Sequence, residues 1–323
     1  MKSINVLVNL LALILVVSGR AGLAEEISNT KAVLVTGASS GIGLQIAKTL
    51  SRNGFYVYAG ARKAEDLEML DAMENVSAVK LDVTVNEDID AAVGFVKQQG
   101  RGLWGVVNNA GVLRYSPLRS GQEPDIRFMF DVNFFGPYRI NQAFLPMLLE
   151  SNGRTAIIGS ISGFIPDRTD GGYVSSKFAA EGYTDSLALE LEGTGVYVGI
   201  VEPGTYKARI RDKYLAKVLT ADGKGVGTID DRTKRSLMAF AARNESLKDP
   251  VEVAQAVLHL MSSDKPKRRY LVTPDAQQAA LTIRAAMRRV VQLNDDQHYS
   301  YSRDELVAIL DGLLKDNHQD NSD

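Results

Sequence analysis

From Lys31 onward the chain alternates between short apolar runs rich in β-branched residues and longer segments with helical spacing, and this alternation restricts the fold more than any other feature. A run such as Ala-Val-Leu-Val at 32–35 has no polar residue on either side of its period, so both of its faces must be covered. That is the condition of a strand in a parallel sheet with helices above and below. Strands are expected at 32–35, 55–59, 76–81, 103–107, 155–159, 196–201 and 270–273, and helices at 42–52, 86–98, 126–149, 173–192 and 250–262. The predicted fold is α/β: a single doubly wound domain over about 31–275, with a seven-stranded parallel sheet flanked by helices. No internal repeat and no Pro/Gly/Ser-rich linker divides it.

Three stretches fall outside that pattern. Residues 206–249 are charged and irregular, with Ala-Asp-Gly-Lys-Gly-Val-Gly at 221–227, and are read as a lid over a substrate. Residues 276–316 form a helical extension with helices at 276–293 and 304–315, the second opened by Ser302-x-x-Glu305 at capping-box spacing, and 317–323 are read as an unstructured tail. Residues 1–24 join Lys2, an apolar run and small residues before Glu25, which is the layout of a secretory signal. Cleavage would export the chain to a periplasm, secretory lumen or medium. Retention would leave a membrane anchor, although the apolar run is shorter than the roughly 20 residues that span a bilayer. Membrane contact is expected only through this segment.

Composition narrows the chemistry. There is no cysteine and there are only three histidines, His259, His298 and His318, so thiolate zinc sites, cysteine nucleophiles and most transition-metal centres are excluded; no metal site is expected. Redox chemistry would have to come from a bound cofactor. With 37 basic and 39 acidic residues the chain carries no field for a nucleic-acid backbone. His259 lies in an apolar helical stretch and is read as a core residue, the basic run at 265–269 as a solvated loop, and Arg284, Arg288 and Arg289 as a salt-bridged surface.

The first strand runs directly into Thr36-Gly37-Ala38-Ser39-Ser40-Gly41-Ile42-Gly43 and then a helix. Glycines in that position let the backbone turn tightly and approach a pyrophosphate, whose charge sits against the positive end of the helix dipole. Tyr173 and Lys177 are four residues apart and so share a helix face, where an ammonium favours the phenolate form of a phenol.

With glycines at 37, 41 and 43, Asn108-Asn109-Ala110-Gly111 after the fourth strand, Asn133 within Asp-Val-Asn-Phe-Phe-Gly, Ser160 after the fifth, Tyr173-Val-Ser-Ser-Lys177 and Pro203-Gly204 after the sixth, the chain resembles the short-chain dehydrogenase/reductase family, non-extended branch. The resemblance covers about 31–275 and implies a Rossmann-type domain that moves a hydride between a nicotinamide and a substrate carbon. It implies Tyr173 as general acid/base, Ser160 as hydrogen-bond donor to the reacting oxygen, Lys177 as the group that binds ribose and tunes Tyr173, and Asn133 as holder of a water linking Lys177 to solvent. It also implies cofactor contacts at Gly37, Ser39, Ser40, Gly41, Ile42, Gly43, Asp82, Val83, Asn109, Ala110, Gly111, Tyr173, Lys177, Pro203, Gly204 and Thr205, and assembly as a homodimer or homotetramer. Ala208 stands where the family often has a threonine.

Cofactor choice is read at the end of the second strand, where Ala61 replaces the carboxylate that would bind a ribose hydroxyl and Arg62 follows; this favours NADP(H) over NAD(H). Tyr206, Ile210, Tyr214, Leu215, Val218, Leu237, Met238 and Phe240 in the lid predict a small-molecule substrate that is an apolar alcohol or ketone, steroid- or retinol-like. Two other readings remain open: a non-catalytic NADP(H)-binding regulatory module, and a sugar-nucleotide epimerase or dehydratase of the extended branch, against which Ser40 stands where that branch usually has glycine.

Overall fold

The computed structural model describes residues 30–208, 210, 235, 238 and 246–319. The signal-like segment and most of the stretch read as a lid lie outside the described residues. Seven parallel strands form one sheet in the order β3-β2-β1-β4-β5-β6-β7. They are β1 Ala32–Val35, β2 Tyr56–Ala61, β3 Val76–Lys80, β4 Gly105–Asn108, β5 Arg154–Ile158, β6 Tyr197–Pro203 and β7 Arg269–Val272. Every residue of β1 and β4 is buried, as strands covered on both faces require.

Two apolar layers sandwich the sheet. On one side Ile89 and Ala92 of α3 (Asn86–Gln98), Ile140 and Phe144 of α5 (Gly136–Ser151) and Ala180 of α6 (Gly171–Glu190) pack against Leu34, Val106 and Ile157. On the other, Ile46 and Leu50 of α1 (Gly41–Arg52) and Val253, Val257 and Leu260 of α7 (Val251–Ser262) cover Val33, Val107 and Val201. The chain leaves β1 in one direction towards β2 and returns on its other side as β4, so the carboxyl ends of β1 and β4 open a crevice at the switch point, where ligands of such sheets bind.

Three departures from the expected elements have physical causes. A short α2 (Ala64–Asp71) was not foreseen; its sequence is acidic and buries only Leu70, so its apolar period is weak. The single helix expected over 126–149 is α4 (Glu123–Phe130), a π-helical turn at Asp131–Phe135, and α5. Pro137 explains the break, because it has no N–H to give to the carbonyl four residues back, that of Asn133. At the other end, α8 (Ala276–Asn294) is followed by α9 (Arg303–Gln319), which continues past Lys315 into the stretch read as tail, since no glycine or proline stops it there. The capping box that opens α9 is formed: Ser302 N–H donates to Glu305 Oε2 at 2.8 Å and Glu305 N–H to Ser302 Oγ at 3.3 Å.

Candidate active site

The turn after β1 is built by groups on two strands. Gly37 and Gly41 have φ of 65° and 57°, values that side chains with a Cβ rarely adopt. Thr36 Oγ1 accepts from Asn109 N and Ala110 N at 3.0 and 2.9 Å, while Asn109 Nδ2 donates to the carbonyls of Thr36 and Gly37 at 2.9 and 3.1 Å. Asn109 faces the cleft as expected, yet its amide is spent on holding the glycine turn. Thr36 was missed in sequence because a threonine at a strand end has no signal of its own.

No side chain caps α1 and its first turn holds no acidic residue. Its leading N–H groups, which have no acceptor within the helix, therefore offer donors and a positive dipole end to an anion. One cleft is lined by this turn and by Arg62, Asp82, Val83, Asn109, Ala110, Gly111, Ser160, Tyr173, Lys177, Pro203, Gly204 and Thr205. Of the expected catalytic and cofactor-binding residues, Asn133 alone is not on its wall.

Asn133 is buried behind it in the π turn, where Nδ2 donates to Val112 O and Ser176 Oγ, both at 3.0 Å, and Oδ1 accepts from Val112 N at 2.8 Å. Its amide protons are thus committed to packing the loop after β4 against α6. A water held by Asn133 would have to donate to one of its oxygens.

Ser160 follows β5 and caps the short 3₁₀ turn Ile161–Gly163: its Oγ accepts from Ser162 N at 3.1 Å. Capping uses the hydroxyl as acceptor and leaves its proton available to a second oxygen. Tyr173 lies in the first turn of α6, whose start is fastened by Gly172 N–H to Ser116 O at 3.0 Å; Ser116 itself is fully buried. One turn on, Lys177 is buried, donates from Nζ to Ile158 O at 2.9 Å, and sits 5.7 Å from the centre of the Tyr173 ring. Burial pulls its ammonium down to about 8, against the charge of Glu181, which works the other way.

Behind Lys177 lies a group that sequence reading did not find. Glu181 and Glu202 are buried side by side, with Arg269 reaching both at 3.3 and 3.4 Å and Asp185 at 2.8 Å. Desolvation raises both carboxyls, and the charge of Glu181 raises Glu202 further while Arg269 opposes it. Both carboxyls are thus pushed toward the neutral form, Glu202 the more strongly because it also faces the charge of Glu181. The spacing of Tyr173, Lys177, Glu181 and Asp185 at four-residue steps was the available signal.

A group whose folded pKa lies above the unfolded 4.5 stabilises the fold at low pH and loses that contribution as pH rises. Glu202→Gln is therefore expected to unfold like the parent near pH 4.5 and to be more stable at pH 8, by about 1–3 kcal/mol in denaturant titrations. A parent whose stability rises steadily between those values, with the variant parallel to it, would show that Glu202 is ionised in the fold.

On the floor of the cleft Gln278 Oε1, at the start of α8, accepts from Thr205 N at 2.7 Å, and Gly204 N–H donates to Val272 O at 2.7 Å. The expected pocket residue Tyr206 borders the cleft but is almost fully buried. Ala208 also lines it, and Lys207 N–H donates to Lys248 O at 2.9 Å, so the two ends of the stretch read as a lid are tied together. Ile210 lines the cleft too; Tyr214, Leu215, Val218, Leu237 and Phe240 lie outside the described residues. Met238 is described and exposed. His259, expected in the core, is instead exposed on α7, with its Nδ1 2.8 Å from Tyr270 Oη. Arg289 gives a hydrogen bond to Phe164 O rather than a salt bridge.

The profile of the family described as short chain dehydrogenase matches residues 31–218. An uncharacterized oxidoreductase of Escherichia coli K12, YbbO, is 35% identical over 245 residues, 75% of this chain and 86% of that protein. Retinol dehydrogenase 7 of Mus musculus is 31% identical over 260 residues, 76% of this chain and 81% of that protein. The crystal structure of a short-chain dehydrogenase from Streptomyces avermitilis superposes with a TM-score of 0.70 at 27% identity, covering 83% of this chain and 96% of that one. The chain belongs to the short-chain dehydrogenase/reductase family. It is an oxidoreductase that acts on alcohol or carbonyl groups of small molecules, with a Rossmann-like nucleotide-binding fold.

Proposed function

We propose that the protein interconverts a secondary alcohol and a ketone or aldehyde of an apolar substrate, with NADP(H) as cofactor. What carries the reading is that Ser160, Tyr173 and Lys177 border the same cleft as the glycine turn and the uncapped start of α1. That turn fits a pyrophosphate: its donors point into the cleft and no side chain or acidic group competes for them. When bound, the dinucleotide supplies the hydride to the substrate carbon, or accepts it.

The chain's own residues handle the oxygen and its proton. Ser160, with its lone pair engaged by Ser162 N–H, donates to the substrate oxygen and stabilises the charge that develops there. Tyr173 gives its phenolic proton to that oxygen in reduction and takes it in oxidation. Lys177 below the ring and the N-terminal end of α6 favour the phenolate, and Glu181 keeps the buried ammonium compensated. Val112, Leu113, Ile161, Val174 and Ile210 supply apolar walls, which, with the resemblance to a retinol dehydrogenase, supports an apolar substrate.

NADP(H) is favoured by Ala61 and Arg62. Arg62 Nη1 pairs with Asp82 at 3.2 Å while the guanidinium stays more than half exposed, so it is fixed in place without being spent. Burial would raise Asp82, but hydrogen bonds from Thr84 and Arg62 outweigh it and hold the carboxyl below its usual range. Arg62→Ala is expected to weaken NADPH about tenfold and to leave NADH nearly unchanged, read by quenching or transfer fluorescence. Equal losses for both dinucleotides would remove the basis for the preference. The reading as a whole is tested by following NADPH oxidation against a panel of apolar ketones and aldehydes; cofactor binding without turnover of any of them would favour a regulatory module instead.

A further inference from the structure

The C-terminal extension carries an apolar seam that faces away from the domain. α8 is fixed to the body by one side only: Thr282 is buried, Gln278 holds Thr205, and Arg289 reaches Phe164 O at 2.5 Å with its guanidinium 4.3 Å from the Phe178 ring centre. On the opposite side Ala276, Ala280, Ile283, Met287, Val290 and Asn294 recur at steps of four and three, the spacing of a helix–helix seam, and Ile283, Met287 and Val290 are about half exposed. α9 repeats the arrangement with Leu306, Leu310 and Leu313, flanked by Ile309 and Leu314, and nearly all of it is exposed. The two helices of one chain do not cover each other's seams. Asn294 and Tyr301 fix the corner between them through two hydrogen bonds, Asn294 Nδ2 to Tyr301 O at 2.8 Å and Tyr301 N to Asn294 Oδ1 at 2.7 Å.

Charge says what fits there. α8 contains Arg284, Arg288 and Arg289 and no acidic residue, with Arg284 and Arg288 along one edge of its seam. α9 contains four acidic residues against two basic ones, with Asp311 on one edge of its seam and Glu305 and Asp316 on the other. Pairing α8 with another α8 would set arginines against arginines. Pairing α8 with α9 sets opposite charges beside apolar seams that can overlap over the roughly 10 Å from Leu306 to Leu313, and a twofold axis makes the contact twice. A bilayer is a poorer occupant, since the extension as a whole balances Arg and Lys with Asp and Glu and gives anionic lipid nothing to attract.

We propose that this extension is a dimerisation arm in which α8 of one chain packs against α9 of a second copy. The proposal is independent of the reaction assigned to the cleft.

The natural absence of cysteine allows a direct test on the full chain. Chains carrying Met287→Cys and chains carrying Leu310→Cys are mixed, equilibrated and treated with a short bis-maleimide. Cross-linked dimer is expected from the mixture and much less from either variant alone. The double reversal Arg284→Glu with Arg288→Glu is expected to raise the dimer Kd about tenfold in sedimentation, and Asp311→Arg in the other chain to recover part of that loss. All these positions are exposed, so the melting temperature of each isolated fold is a control. A monomer at micromolar concentration, a dimer indifferent to the reversals, cross-linking dominated by Met287→Cys with itself, or a monomer that floats with phosphatidylcholine–phosphatidylserine vesicles would each overturn the proposal.

Discussion

Tyr173→Phe is expected to lower kcat by about 10²–10⁴-fold while leaving dinucleotide affinity close to that of the parent. The substitution removes one oxygen from a ring carried on a helix start that is fastened through the backbone, by Gly172 N–H to Ser116 O. Lys177→Met should differ in kind. It removes the buried cation beside that ring and also its hydrogen bond to Ile158 O, so kcat falls and cofactor binding weakens together. Rates under single-turnover conditions with NADPH in excess, set beside fluorescence-derived affinities, separate the two effects. A Tyr173→Phe enzyme that turns over at the parental rate would mean that the proton comes from elsewhere.

Gly43→Ala carries the second large effect. A Cβ at residue 43 would lie 2.3 Å from the carbonyl oxygen of Gly37 and 2.3 Å from Asn109 Nδ2, so it strikes backbone and the amide that holds the turn. Neither can yield without dismantling the network of Thr36, Asn109 and Ala110. Overpacking of this kind costs about 1–3 kcal/mol in stability, and the rise in melting temperature produced by NADPH should disappear because the donors of α1 no longer converge. Gly182→Ala is the matched control: nothing lies within 4 Å of its added carbon, it sits inside α6, and it should gain about 0.5–1 kcal/mol with cofactor binding intact. Retained NADPH stabilisation in Gly43→Ala would place the pyrophosphate away from the first turn.

The fold was legible because most strands hold a short apolar run bounded by turn residues, Ala-Val-Leu-Val of β1 being the plainest, a pattern that buried parallel strands impose on sequence. Its blind spots have local causes. α2 buries a single leucine and so leaves no period to read, and the π turn follows from a proline whose consequence appears four residues upstream, at Asn133. Within the site, the residues that do chemistry stood at recognisable spacings, but those that position them did not. Thr36, Ser116, Glu202 and Arg269 come from four separate segments, and each reaches its partner only once the chain has folded. Asn109 and Ser160 show how a role read from sequence shares a side chain with a structural one: one spends its amide on the glycine turn, and the other caps a helical turn with the lone pair that its donor role does not need.

The most direct measurement of the central claim is a crystal structure of the protein with a dinucleotide and a slowly reacting ketone. The pyrophosphate should lie against the turn from Gly37 to Gly43, and the ketone oxygen should accept from both Tyr173 Oη and Ser160 Oγ at about 2.6–3.2 Å. A ketone oxygen out of reach of Tyr173, or a dinucleotide seated away from the start of α1, would contradict it.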